Sequence, residues 1–192
     1  MRSELRPALW SLVLFTVLTG ALYPGVVTGI AQLVFRHQAE GSLIKERGKS
    51  LGSELIGQPF DDPKYFWSRP SATTPAYNGA ASGASNLGPR NPALIEAITS
   101  RAENLRHADP SASGPIPVDL VTGSGSGLDP HITPAAAAFQ ANRVAQARSL
   151  RPEQIQGLIR HYTEGRQLGF LGEPRVDVLR LNLALDSLTA TP

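Results

Sequence analysis

Pro7–Phe35 reads PALWSLVLFTVLTGALYPGVVTGIAQLVF, an uncharged run bounded by Arg6 on one side and by Arg36 and His37 on the other. A helix rises about 1.5 Å per residue and needs about 20 apolar residues to cross a hydrocarbon core of about 30 Å, so this run is long enough to span with tilt. The expectation is a single transmembrane helix over residues 7–35, after a short tail at 1–6. Trp10 and Tyr23 suit the two interfaces, while Gly20, Pro24, Gly25 and Gly29 permit bending and close approach of a neighbouring helix. The competing reading is a cleaved leader with Arg2 and Arg6 as its basic start, Ala8–Leu18 as its apolar core and Thr19-Gly20-Ala21 as its cleavage site. Against it, the apolar run continues for another dozen residues past that site.

The flanking charges decide orientation less sharply. Arg2 and Arg6 lie before the run, but Arg36, Lys45, Arg47 and Lys49 follow it. Large translocated domains largely escape the charge rule, which favours an N-terminus inside and the remaining chain outside. That remainder, residues 36–192, is expected to be one soluble domain. Of 18 Lys and Arg against 16 Asp and Glu in the whole chain, Arg2, Arg6 and Glu4 precede the run, so the rest is almost neutral. Near-neutrality argues against a nucleic-acid partner. Cysteine is absent, which removes disulfides, thiolate catalysis and cysteine-based zinc sites together.

Beyond the run, Ser42–Ile44 and Leu51–Ile56 read as two strands of a hairpin joined through ERGKS. Residues 58–92 are rich in Pro, Gly, Ser, Ala and Asn and show no apolar period, yet Phe60, Tyr65, Phe66, Trp67 and Tyr77 argue for order there. Such rings either anchor the loop to its own domain or meet a partner. Asn91-Pro92 starts a helix with Leu94, Ile98, Ala102 and Leu105 on one face, ending before Asp109-Pro110. Val118–Thr122 reads as a strand. Thr133-Pro134 starts a second helix to about Arg148, with Ala137, Ala141, Val144 and Ala145 aligned. Pro152 starts a third, with Ile155, Leu158, Ile159 and Tyr162 as its apolar face. Val176 and Val178 suggest a strand, and LNLALDSL from Leu181 a closing helical turn or two. The fold class is therefore α+β, mixed, with an N-terminal transmembrane helix, short strands, a hairpin and about three to four helices in the soluble part.

Thr122–Pro134, TGSGSGLDPHITP, invites a phosphate-binding reading, because a glycine-rich turn opening a helix presents backbone N–H groups. No lysine follows the glycines as a Walker loop requires, and a G-x-G-x-x-G would need glycine at Leu128 or Pro130. Ser126, Asp129 and His131 lie within six residues, too close to form a converging triad. The stretch reads as a turn, with no catalytic residue assigned. His37, His107, His131 and His161 show no metal-ligand spacing.

Nine segments occur together in order: LRPAL at Leu5, LTGALYP at Leu18, GSLI at Gly41, GSELIGQPF at Gly52, YFWSRPSA at Tyr65, YN at Tyr77, SGASNLGPRNP at Ser82, PVDLVTGSGSGLDPHITPAAA at Pro117 and LNLALD at Leu181. In these the chain resembles the C subunit of the bacterial potassium-transporting P-type ATPase, the Kdp complex, over nearly its whole length. The resemblance implies a single-pass inner-membrane subunit without pump chemistry. Its partners would be a channel-like potassium-binding subunit, an ATP-hydrolysing P-type subunit and a very small membrane subunit. It also implies an assembly factor and catalytic chaperone that raises the ATP affinity of the hydrolysing subunit through a transient ternary complex. A competing view of the family is a periplasmic cap over the potassium entrance, and a third is a direct ATP-binding regulator. On the first two readings the chain has no cofactor of its own, ATP being bound by the partner subunit and shared at most within the transient ternary complex. Direct nucleotide contact would fall on Ser124, Ser126 and Gly127. Partner contacts would fall on Gly20, Pro24 and Gly25 in the helix, on Tyr65, Phe66 and Trp67 in the loop, and on Leu128 and Asp129.

Overall fold

The computed structural model describes residues 2–46 and 48–189, and the chain divides into two compact units, the first ending at Leu43 and the second beginning at Ile44. Met1, Arg47 in the middle of the expected hairpin connection, and the end of the expected 36–192 domain from Ala190 on lie outside the described residues.

The first unit is one long helix followed by a short one. Helix α1, Arg2–Val17, runs into a π-helical turn at Leu18–Leu22 and then into α2, Tyr23–Val34. The stretch expected as a tail is thus helical from Arg2. The π turn has a local cause. Pro24 has no N–H to give Gly20 and its ring crowds that carbonyl, so the backbone widens by one residue and the Tyr23 N–H reaches Leu18 instead. Thr19 donates its hydroxyl to the Phe15 carbonyl at 2.6 Å, keeping its polar group inside the helix. Glu4–Val34 forms a 31-residue helical stretch whose mean hydropathy reaches 1.7 over an 18-residue window, long and apolar enough to cross a membrane. None of its residues is buried by the chain itself. Phe35 leaves helical geometry at φ −126° and ψ 42°, and the one-turn α3, Arg36–Ala39, follows.

In the second unit, Lys49–Ser53 (β2) pairs with the preceding strand Leu43–Glu46 (β1) as the expected hairpin, with a connection shorter than ERGKS. Helix α4, Pro92–Ala108, is capped by Asn91, whose side chain accepts from the Ala93 N–H at 3.0 Å. Of its expected face, Leu105 is buried in the core and Ile98 and Ala102 pack against it half-buried. Val118–Thr122 departs from expectation: Val118–Leu120 is a 3₁₀ turn, with Val121 N–H returning to the Val118 carbonyl. β-branched residues at 118 and 121 favour a strand, but Pro117 sets the start of a tight turn and, among the described residues, no strand pairs with this segment.

Thr133 caps α5, Pro134–Arg148, by accepting from the Ala136 N–H at 3.0 Å. The helix ends on Ser149 in left-handed geometry at φ 53°. Its small face, Ala137, Ala141, Val144 and Ala145, is buried and packs on α6, Pro152–His161, through Ile155 and Ile159. Three short antiparallel strands complete the unit. His131–Ile132 (β3) and Thr163–Glu164 (β4) flank Arg175–Asp177 (β5), with Ile132 and Thr163 both opposite Val176. The expected strand therefore stops at Asp177, and Val178 already begins α7, Val178–Thr189, longer than the turn or two foreseen. Asp177 is the reason. Its carboxylate accepts the Arg180 N–H at 2.8 Å and caps the helix start. Val176, Val178, Leu181 and Leu185 join Ile132, Val144 and Ile155 in the core.

The long loop from 58 to 91 contains no helix or strand, yet it is bound to this core at regular points. Phe66 is fully buried. Its N–H donates to Asn182 Oδ1 at 2.9 Å while its carbonyl accepts from Asn182 Nδ2 at 3.0 Å. Trp67 makes the same two-way exchange with Gln140, at 2.8 and 3.2 Å. Two side-chain amides thus do for this stretch what a neighbouring strand does in a sheet, satisfying buried backbone groups that would otherwise destabilise the fold.

Candidate functional site

Three features could carry function: the exposed apolar helix, the aromatic stretch at 65–67 and the glycine-rich turn.

Gly20, in the π turn, and Gly25, in α2, would meet nothing within 4 Å if given a Cβ. With Pro24 they make a shallow, small-residue place on an otherwise bulky apolar surface that includes Leu14, Phe15, Leu18 and Leu22. Another helix could approach closely there.

At the aromatic stretch, Tyr65 and Trp67 are half-buried and Phe66 is inside the core. Arg143, on the inner face of α5, holds the stretch from below. It donates to the carbonyls of Pro63 and Tyr65 and to Gln140 Oε1 at 2.7 Å, with its guanidinium 4.0 Å from the centre of the Trp67 ring. Burial lowers its pKa to about 10, so it remains charged at neutral pH. Arg148 donates to the Lys64 carbonyl and to Asp186, and Asp186 also accepts the Tyr65 hydroxyl at 3.0 Å. The rings therefore anchor the loop to its own domain. The residues that do this, Gln140, Arg143, Arg148 and Asn182, were not singled out in the sequence. Their signal is a polar side chain on an apolar helical face, Asn182 between Leu181 and Leu185 above all.

The glycine-rich turn joins the same loop further on. The Ser126 carbonyl accepts from the Gly83 N–H at 2.9 Å and the Ser82 hydroxyl at 3.0 Å. Gly127 accepts from Ser71 at 2.6 Å, and Leu128 from the Gly57 N–H at 2.8 Å. Gly127 lies at φ +68°, and a Cβ there would come within 2.6 Å of the Gly83 carbonyl oxygen, so glycine is required twice over. Ser124 is buried and Ser126 is exposed. Leu128, half-buried, contributes backbone.

Asp129 sits at the edge of a cleft of about 290 Å³ lined by Arg69, Asp119, His131, Thr133, Glu173 and Arg175. Its carboxylate is 3.0 Å from an Arg69 nitrogen and 3.3 Å from His131 Nδ1, and accepts the His131 N–H at 3.0 Å. Burial works against this carboxylate, but the His131 hydrogen bonds and the nearby Arg69 charge outweigh it and hold its pKa below the ordinary value. The buried Asp119 accepts the Thr133 N–H at 2.7 Å. A carboxylate therefore already stands at the start of α5, the place where a helix N-terminus would hold a phosphate. The turn's carbonyls and the Asp129 carboxylate are engaged inside the fold, and what the arrangement does is fix one loop against another.

Comparison with known proteins extends over nearly the whole chain. The family model described as "KdpC: K+-transporting ATPase, c chain" matches residues 5–187. A "Potassium-transporting ATPase KdpC subunit" of Methylococcus capsulatus is 62% identical over 189 residues, covering 98% of this chain and 100% of that protein. Proteins of the same description from Sorangium cellulosum and Herpetosiphon aurantiacus are each 59% identical, over 97% and 98% of this chain and 98% of each relative.

Proposed function

The chain belongs to the KdpC family, the c chains of the K+-transporting ATPase, and from that premise we propose a non-catalytic, single-pass subunit that steadies the pump and sensitises it to ATP. Membership in the family makes it an accessory subunit in potassium uptake. The observation that carries the rest is the 31-residue helix, long and apolar enough to span a membrane, with no residue buried by its own chain. Such a surface needs hydrocarbon or another helix around it, and the small-residue place at Gly20, Pro24 and Gly25 suits a helix from a partner subunit.

In this reading the N-terminus is cytoplasmic, the helix crosses the bacterial inner membrane, and the second unit lies in the periplasm. Its partners are the channel-like potassium-binding subunit, the ATP-hydrolysing subunit and the small membrane subunit. ATP stays on the hydrolysing subunit. A domain separated from the cytoplasm by about 30 Å of hydrocarbon influences that site only through coupled helix contacts, as an allosteric effect of the catalytic-chaperone kind. The engaged turn at Ser124, Ser126 and Gly127 favours this indirect route over a shared nucleotide. A cap over the potassium entrance is compatible with the same placement.

Removing residues 44–192 while keeping the helix tests the proposal in cells limited for potassium. Uptake is expected to fall and the ATP concentration needed for half-maximal hydrolysis to rise. Unchanged uptake, assembly and ATP dependence would overturn it.

A further inference from the structure

Arg6, Leu9, Trp10 and Val13 fall at i, i+3, i+4 and i+7 of α1 and line one groove of about 380 Å³ along the helix. All four are exposed, Trp10 to 73%. Arg6 makes no hydrogen bond, ion pair or ring contact among the described residues, and the Trp10 indole N–H has no acceptor there. Glu4, the acidic residue of the first turn, lies about 160° round the helix from Arg6, on the opposite side. The groove is therefore amphiphilic. Two unengaged donor groups stand at its outer end, and Leu9 and Val13 continue it about 5 and 10 Å further along the helix.

Resting on the membrane-spanning reading above, we propose that this groove seats one anionic glycerophospholipid. Its phosphodiester takes the Arg6 guanidinium and the Trp10 indole N–H, and an acyl chain lies along Leu9 and Val13. A guanidinium presents paired N–H donors that match phosphate oxygens, and an indole with its N–H at headgroup level and its ring in hydrocarbon is at home in the interface. A zwitterionic lipid carries its own ammonium beside the phosphate, so the net negative lipid is the better counter-ion for an unpaired Arg6.

Two other occupants fit less well. Copies of this chain insert with the same orientation, so a two-fold partner on this face would set Arg6 against Arg6 without a carboxylate between them. Close packing of a different helix in a bilayer runs through small residues, and Gly20, Gly25 and Gly29 stand beyond the groove, whose walls are bulky.

The test reconstitutes the full-length chain in vesicles of phosphatidylcholine mixed with phosphatidylglycerol, with one or the other lipid brominated on its acyl chains. Quenching of Trp10 fluorescence, after subtraction of the Trp10→Phe signal, gives the relative occupancy of the two lipids. Phosphatidylglycerol is expected to be preferred about fivefold, the worth of one basic side chain at an anionic surface. Arg6→Gln should abolish the preference and Arg6→Lys should retain it in part. The double variant Arg6→Gln, Ala8→Arg keeps the net charge but moves it to the opposite side of the helix, and should lose the preference too. Equal quenching by both lipids in the unsubstituted chain, or a preference that survives in the double variant, overturns the proposal. In the assembled complex a photo-crosslinking residue at Leu9 is expected to capture lipid, and capture of a polypeptide instead overturns it. A chain that fails to stay with carbonate-washed vesicles refutes the membrane-spanning reading itself, whereas an inserted chain without lipid preference refutes the lipid seat alone.

Discussion

Asn182 decides how the loop is held, because one side chain satisfies both backbone groups of the buried Phe66. Asn182→Ala leaves a buried N–H and a buried carbonyl without partners, which costs about 2–4 kcal/mol and should appear as a lower midpoint in denaturant unfolding. The two glycine-rich-turn positions should behave in opposite ways. Gly127→Ala forces a Cβ against the Gly83 carbonyl at positive φ and should destabilise by about 2 kcal/mol or more. Ser126→Ala removes an exposed hydroxyl that accepts the Leu128 N–H at 3.1 Å, a bond that water can replace, and should change stability by less than about 1 kcal/mol. Asp129 adds a pH dependence of definite sign. Its pKa is lowered in the fold, so its contribution is complete above about pH 4 and fades as pH falls through the lowered value. Asp129→Asn should therefore be less stable than wild type at pH 7, with the difference closing in acid, as thermal unfolding between pH 7 and pH 3 would record.

At the scale of elements, the sequence was readable wherever a local rule governs. Asn91-Pro92 and Thr133-Pro134 announced α4 and α5 because cap and proline act within one turn, and the faces of α4, α5 and α6 followed from spacing alone. Val118–Thr122 forms no strand because strand propensity has meaning only with a partner strand, and none pairs with it among the described residues. The two-residue strands β3 and β4 exist only through their pairing with β5, which no periodicity announces. The π turn was foreseen only as a place that could bend. Pro24→Ala restores a donor at position 24 and should convert the π turn to α-helix, rotating every residue before it by about 100° relative to α2. Because the chain has no cysteine, single cysteines can report this. Crosslinks to a partner helix from the α1 side should move to new positions, while those from the α2 side stay.

For the whole molecule, the greasy run fixed the plan of anchor and folded unit, and the ordered motifs pointed to a family that the comparisons bear out. What stayed hidden were long-range contacts: Gln140 and Asn182 serving as substitute strand edges, and Arg143 under Trp67. These depend on which distant segments meet, and sequence spacing carries no trace of that. The account rests on an anchor that remains in place and leaves the second unit on the outer side. Fusing alkaline phosphatase, active only outside the cytoplasm, after Leu188 measures this most directly. Full phosphatase activity that stays with carbonate-washed membranes is the predicted result. A silent fusion, or active enzyme released as a soluble protein, would contradict it.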